Sequence, residues 1–320
     1  MYQKNYDELK KAVDEKAIII PVREHRKPDG TMNIERNLKR WNDVLSRFEI
    51  TPLWPEGKTP NYDDRDPNQP EPSIVFVPAQ GEKKSDGTII VAHGGGFEIR
   101  TGCEGIHVAE WFSRNGFNTA ILTYRIKPYD REDALDDIQR AIRLLRYRKE
   151  EFGISDRIVC MGFSAGGMLS GNAATLFDYG DPESNDPIER ESSRPDGAVL
   201  AYGAFAFSEL PGGFFADPFS DQIRNPFFKD RNDLYRFSPE VNINRQTPPF
   251  FIWQTNSDDP RHSFTTGAAL TAAGVPFEMH LFPEGVHGLA MADGNNDLEM
   301  SIPSVAQWAP LCASWLEKIL

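Results

Sequence analysis

Cysteine is scarce in this 320-residue chain. There are three, Cys103, Cys160 and Cys312, widely spaced and without a CxxC pair. An odd number at such separations argues against a disulfide framework and against a zinc site, and it fits a reducing, cytoplasmic setting. Positive charge is also short: 35 Lys and Arg stand against 48 Asp and Glu, a net charge of −13. Such a surface repels phosphate backbones and anionic lipid, so neither nucleic acid nor membrane is expected as a partner. Long apolar runs are missing too. No stretch approaches the ~20 residues of a membrane span. The opening MYQKNYDELKKAVDEKAIIIPV has charges on both sides of a short apolar run, without the apolar core of a signal peptide.

What is present suffices for a full core: 39% of residues are hydrophobic and 26% charged. No internal repeat and no mid-chain shift in composition divides the sequence, so one catalytic-size domain is expected. Residues 1–72 read as a polar arm with a short helix at 6–15, a candidate for packing on a second subunit in a homo-oligomer. From residue 73 to 320 the grammar changes. Strand-length apolar runs appear at 73–77 (SIVFV), 88–92 (TIIVA), 118–124 (NTAILTY), 157–162 (RIVCMG), 197–202 (GAVLAY), 249–254 (PFFIWQ) and 277–282 (FEMHLF). Most are continuous rather than alternating, as strands buried on both faces should be. Between them lie helix-period segments, among them REDALDDIQRAIRLLRYRKEEFG, with Leu135, Ile138, Ile142 and Leu145 at helical spacing and Gly153 as a stop. HSFTTGAALTAAGV and PSVAQWAPLCASWLEKI read as two more helices. Strand–helix alternation predicts an α/β fold, a mostly parallel central sheet with helices on both faces. Residues 180–196 and about 203–248, rich in Gly, Pro, Phe and Asp, read as insertions above the sheet.

One stretch, VCMGFSAGGMLS at 159–170, sets a serine between glycines where a buried strand gives way to a helix. A G-x-S-x-G in that position describes a nucleophile elbow. Glycines two before and two after Ser164 remove Cβ atoms that would strike the neighbouring strand and helix backbones. Ser164 then projects over the sheet at a helix N-terminus, whose free N–H groups favour a developing oxyanion. The bare pattern is weak, since Gly and Ser are common in ordinary turns. Its place between a strand and a helix is what gives it weight.

The run His93-Gly94-Gly95-Gly96-Phe97 follows the 88–92 strand directly. Three glycines let backbone N–H groups turn toward a ligand. Gly95 and Gly96, with Ala165 after the serine, are the candidate oxyanion-hole donors, and Phe97 and Phe163 are candidate substrate-binding residues. A plain flexible turn is the alternative. A phosphate loop is excluded because no G-K-[ST] follows, and the dinucleotide pattern fails at Ile99.

An activated serine needs a base, and the base a carboxylate to orient it. Of six histidines, His25 lies in the charged arm, His93 precedes and braces the glycine loop, and His107 falls within an expected helix. His262 is too near the candidate acid in sequence to be its partner, and His280 sits inside a strand. His287 remains, in a glycine-flanked loop past the last strand. The acid should follow the preceding strand, where SDDPRHS offers Asp258 and Asp259. Spacing leaves both open, with Asp258 at the more usual distance from the strand end. The order Ser164, Asp258 or Asp259, His287 differs from those of the two main serine-protease types. ADGNND at 292–297 has its glycine in the wrong place for a calcium loop, so no metal site is expected.

With these residues in place the sequence resembles the α/β-hydrolase superfamily, and within it the bacterial esterases near the hormone-sensitive-lipase and acetyl(xylan)-esterase groups. The matching pieces are HGGGF, YRIKPYDREDALDDIQRAIRLLR, GFSAGG, RPDGAVLAY, PPFFIWQT and GVPFEMHLFPEGVHG, across residues 73–320. The resemblance implies hydrolysis of a small-molecule ester with short acyl groups, without metal or organic cofactor. Two departures stand out. SDDPRHS is shorter than the acid-bearing run of similar esterases, in which the acid often precedes a proline, as Asp259 does here. The 203–248 insertion matches no pattern of the group. Its aromatics (Phe205, Phe207, Phe214, Phe215, Phe219, Phe227, Phe228) are candidates for a pocket wall or for a small local core.

Two rival readings share these motifs. A prolyl-oligopeptidase-like peptidase has the same order of residues, but a ~70-residue arm is too short for a propeller. A non-catalytic ligand-binding protein of the same fold would have no need to keep all three side chains.

Overall fold

In the computed structural model the described residues are 49–63, 70–207, 229–256, 258–296, 298 and 300–320. The expected helix at 6–15, His25, and Phe214, Phe215, Phe219, Phe227 and Phe228 lie outside them. Eight strands form one sheet: β1 (Thr51–Pro52), β2 (Ser73–Val77), β3 (Thr88–Ala92), β4 (Asn118–Thr123), β5 (Ile158–Phe163), β6 (Gly197–Ala201), β7 (Phe250–Thr255) and β8 (Phe277–Phe282), in the order β1-β2-β4-β3-β5-β6-β7-β8. β1 and β2 run antiparallel to their neighbours, and every pairing from β4 through β8 is parallel. Seven of these strands stand where the apolar runs predict them. β1 has two residues, one of them proline, and leaves no periodicity to read.

Side chains alternate across the sheet with period two. Ile89 and Val91 join one core with Met161, Phe163, Trp253 and Trp308, while Ile90 and Ala92 join the other with Leu135, Ile138, Ile142 and Met168. The first face is covered by α1 (Val108–Arg114), which continues a single π turn at Cys103–His107, and by α9 (Trp308–Ile319). The second is covered by α2 (Arg131–Tyr147), α4 (Ala165–Thr175) and α7 (Arg261–Ala273). Each wholly buried Ile, Leu or Val contributes about 1.5–3 kcal/mol. Burial on both faces explains the continuous apolar runs in β3, β5, β6 and β7, all with every residue buried. β8 is an edge strand and only half covered.

α2 starts at a capping box in which Asp130 accepts from the helix backbone and Asp133 accepts from the Asp130 N–H. It breaks at Arg148 into a short α3 (Lys149–Phe152), which Gly153 ends at φ 64°. The segment expected as one C-terminal helix is also two, α8 (Pro303–Ala306) and α9. Pro310 explains this split: it has no N–H to give the Ala306 carbonyl and its ring would strike that carbonyl in a continuous helix. Placed in the first turn of α9, it costs nothing there.

The stretch 180–196, expected above the sheet, lies along α2 instead. Arg140 pairs with Asp186 and Glu189, Arg143 with Asp178, and Arg146 with Asp196. These arginines sit three residues apart on one helix face, and α4 runs away from Ser164, so the chain that follows it emerges at the far end of the sheet. In the described part of the other insertion, α5 (Arg231–Arg236) and α6 (Pro239–Asn242) lead back to β7. Phe205 there is wholly buried against Leu200 and Phe250 and belongs to a local core. Among the described residues no helix is long and apolar enough to cross a membrane.

Candidate active site

β5 ends at Phe163, α4 begins at Ala165, and Ser164 makes the turn with φ 53° and ψ −117°. That left-handed conformation is costly for a serine and holds because the surroundings fix it. Its N–H donates to the Ala201 carbonyl at 2.9 Å, and its carbonyl accepts from Met168 N–H at 3.1 Å. Ala165 is the first residue of α4, so its N–H has no acceptor within the helix.

The glycine loop lies against this turn. A Cβ on Gly94 would stand 3.0 Å from the Ser164 Cβ. Gly95 and Gly96 have φ of 112° and 64°, and their N–H groups donate to no group among the described residues. The Gly95 carbonyl accepts from the N–H groups of Glu98 and Ile99, both at 3.0 Å, which closes the loop on itself. His93 is wholly buried, stacked on Tyr124 at 4.2 Å, with Nδ1 2.7 Å from the Gly94 carbonyl. Burial, helped by the Arg100 charge, pushes this imidazole down to about 3, so it is neutral and donates from Nδ1. It braces the loop through the Gly94 carbonyl.

Ser164 Oγ lies 2.8 Å from His287 Nε2, and His287 Nδ1 lies 2.8 Å from Asp258 Oδ1. Of the two adjacent carboxylates the structure brings Asp258 to the ring. Asp259 turns away and accepts from the Arg261 backbone N–H and from its guanidinium at 3.0–3.1 Å. His287 leaves 52% of its side chain exposed, against 13% for Asp258. Burial acts to lower the imidazole pKa, but the charge and hydrogen bond of Asp258 outweigh it. With Glu104 adding in the same sense, the ring is pushed up to about 9.

The remaining described histidines have other partners. His107 Nε2 meets Asp293 at 2.9 Å, and His280 meets Glu278 at 2.8 Å within β8. His262 is buried, accepts from the Ala206 N–H at 3.1 Å, and is pushed down to about 3, first by burial.

The expectation that Phe163 binds substrate is corrected. Phe163, the last residue of β5, packs wholly buried against Tyr202 and Trp308 and presents no surface to a ligand. Phe97 is 5% exposed, with Tyr124 edge-on to its ring and the Arg131 guanidinium 4.8 Å above it. It supports the loop at φ 55° and does not present an open ring.

Two residues escaped the sequence reading. Glu104, 3% exposed, accepts from Gly94 N–H at 3.1 Å, from the Thr101 hydroxyl, and from the Tyr202 hydroxyl at 2.7 Å. Tyr202, just past β6 at φ 36°, meets the His287 ring edge-on at 5.3 Å and accepts from Ala290 N–H at 3.0 Å. The one signal for Glu104 is a single acid between Cys103 and Ile106 shortly after the glycine loop. Tyr202 read only as the end of a strand.

The BD-FAE family matches this chain over residues 75–263. A solved structure, the acetyl ester-xyloside bifunctional hydrolase from Caldicellulosiruptor lactoaceticus, is 33% identical with a TM-score of 0.73, covering 85% of this chain and 96% of that one. The endo-1,4-beta-xylanase B of Butyrivibrio fibrisolvens is 32% identical over 64% of this chain and 33% of its own length. The acetylxylan esterase of Xylanibacter ruminicola is 23% identical over 73% of this chain and 47% of its own length. The chain thus spans a third to about half of these two curated relatives. Because the match takes in more than half of the chain and runs from β2 through the acid-bearing loop, on an α/β-hydrolase sheet, the chain belongs to the BD-FAE family.

Proposed function

We propose that this chain is a carboxylic ester hydrolase that removes short acyl groups, with acetyl groups on xylan-type saccharides as the substrate class, through a serine acyl-enzyme. In this reading residues 73–320 form the catalytic unit. The observation that carries it is the unbroken contact from Ser164 through His287 to Asp258, with both links at 2.8 Å. The named activities of the two esterase-bearing relatives support the choice of acetyl ester.

Ser164 Oγ adds to the ester carbonyl as His287 Nε2 takes its proton. The carbonyl oxygen becomes an oxyanion, received by the N–H groups of Gly95, Gly96 and Ala165. Loss of one such donor costs ~10²–10³ in rate. The imidazolium, held in its tautomer and offset in charge by Asp258, gives its proton to the departing alkoxide. Water then adds to the acyl-enzyme with His287 again as base, releasing the carboxylic acid and restoring Ser164. The cycle consumes ester and water alone.

The test compares wild type and Ser164→Ala on p-nitrophenyl acetate, acetylated xylo-oligosaccharides and aminoacyl anilides. Acetate release should fall by about 10⁴–10⁶ in the variant. Anilide cleavage, or ester turnover unchanged without the Ser164 hydroxyl, would overturn the proposal.

A further inference from the structure

We propose that Glu104 is a positioning residue that ties the oxyanion loop to the histidine loop across the nucleophile; this rests on the serine-hydrolase reading above. Its carboxylate takes donors from three separate segments. Oε2 accepts from Gly94 in the glycine loop and from Thr101 in the turn before Glu104 itself. Oε1 accepts from the Tyr202 hydroxyl beyond β6. That hydroxyl accepts in turn from Ala290, three residues past His287, and the phenol ring stands edge-on to the imidazole.

A buried carboxylate is stabilised only by such convergence of donors, and the sequence makes room for it. A Cβ on Gly94 would lie 2.2 Å from Glu104 Oε2, so the first glycine of the loop is the space the carboxylate occupies. The Gly94 N–H committed to Glu104 fixes that peptide plane, and the Gly95 carbonyl, accepting from Glu98 and Ile99, holds the next part of the loop. The next two amides, on Gly95 and Gly96, are the ones the serine-hydrolase reading assigns to the oxyanion. The same carboxylate sets the height of the Tyr202 ring and so of the loop that carries His287. Its charge also favours the imidazolium that forms during acyl transfer. Among the described residues, the groups facing that imidazole are Ser164, Asp258 from the loop after β7, Tyr202, and Glu104 behind it.

The experiment measures kcat, KM and the pH profile of kcat/KM on p-nitrophenyl acetate for wild type, Ser164→Ala, Glu104→Gln, Tyr202→Phe and the Glu104→Gln/Tyr202→Phe double variant. Misplacement by about 1 Å costs on the order of 100-fold, so Glu104→Gln should lower kcat about 10- to 100-fold with KM within about threefold. The acid limb should move to lower pH, because the negative charge that favours the imidazolium is gone. Tyr202→Phe should lower kcat in the same way, and the double variant should fall no further than the worse single one, as for residues acting through one contact. Tyr202→Phe keeps the ring and its packing, so it carries the test if Glu104→Gln does not fold. Additive losses, or a lowered melting temperature with kcat and the acid limb unchanged, would overturn this role while leaving ester hydrolysis intact. A wild type without esterase activity would instead bring down the reading beneath it.

Discussion

Gly162 and Gly166 approach so closely that a Cβ on Gly162 would stand 1.8 Å from the Gly166 carbonyl oxygen. A Cβ on Gly166 would itself stand 2.1 Å from the Ala92 carbonyl oxygen in β3. Both obstacles are backbone, so neither can swing aside. The glycines at each end of the motif are thus required by the packing of β3, β5 and α4, whatever the serine does.

Gly162→Ala should therefore destabilise the protein by about 3 kcal/mol or more, the upper range for overpacking. Gly153→Ala is the control. That residue has φ 64° with nothing within 4 Å of an added Cβ, so its loss should be only about 1 kcal/mol, the backbone penalty alone. Thermal melts of the two variants side by side decide the matter, and equal melting temperatures would contradict the steric account.

Asp258 and Asp259 are adjacent in sequence and face different partners, which makes them separable. Asp258→Asn keeps the shape but leaves the imidazole in the wrong tautomer, and kcat should drop about 10⁴-fold. Asp259→Asn loosens the Arg261 contact at the start of α7 and should leave kcat within a few-fold of wild type. Steady-state kinetics on an acetate ester reads both, and the reverse ranking would move the acid to Asp259.

The pH dependence follows from the raised pKa of His287. In the proposed mechanism His287 acts as base only when deprotonated, so kcat/KM should rise with pH through the imidazole pKa. An upward shift moves that acid limb above the ordinary 6.5, toward about 9. The ring is half exposed, and solvent screens part of the coupling to Asp258, which places the midpoint between those values. A pH–rate profile with a leaving group that does not ionise in this range checks it. A wild-type limb below 6.5 would contradict the coupling.

Much of this molecule can be read along the chain. The apolar runs of β3, β5, β6 and β7 are legible because a strand covered on both faces is apolar at nearly every position. The elbow is legible because the residues that relieve its sterics, Gly162 and Gly166, stand two positions to either side of Ser164, although one obstacle, the Ala92 carbonyl, comes from β3. Other features ran against the local signal. Phe163 sits beside the serine in sequence, yet its ring is wholly buried in the core with Tyr202 and Trp308. Residues 180–196 look like a loop over the site, yet arginines on α2 draw them to its flank. The division of the last helix was written in Pro310, whose effect falls four residues earlier, at Ala306.

By itself the sequence determined the α/β architecture, the strand positions, and a serine, a glycine loop and a histidine in hydrolase order. Each of these depends on contacts between near neighbours or on a repeated local period. Only the tertiary structure shows which of Asp258 and Asp259 meets the His287 ring, because that depends on how the loop after β7 turns. It alone revealed Glu104, whose bond to Tyr202 spans 98 residues of chain. A carboxylate buried by distant segments leaves no periodic trace, since its role is set by which donors the fold brings within 3 Å.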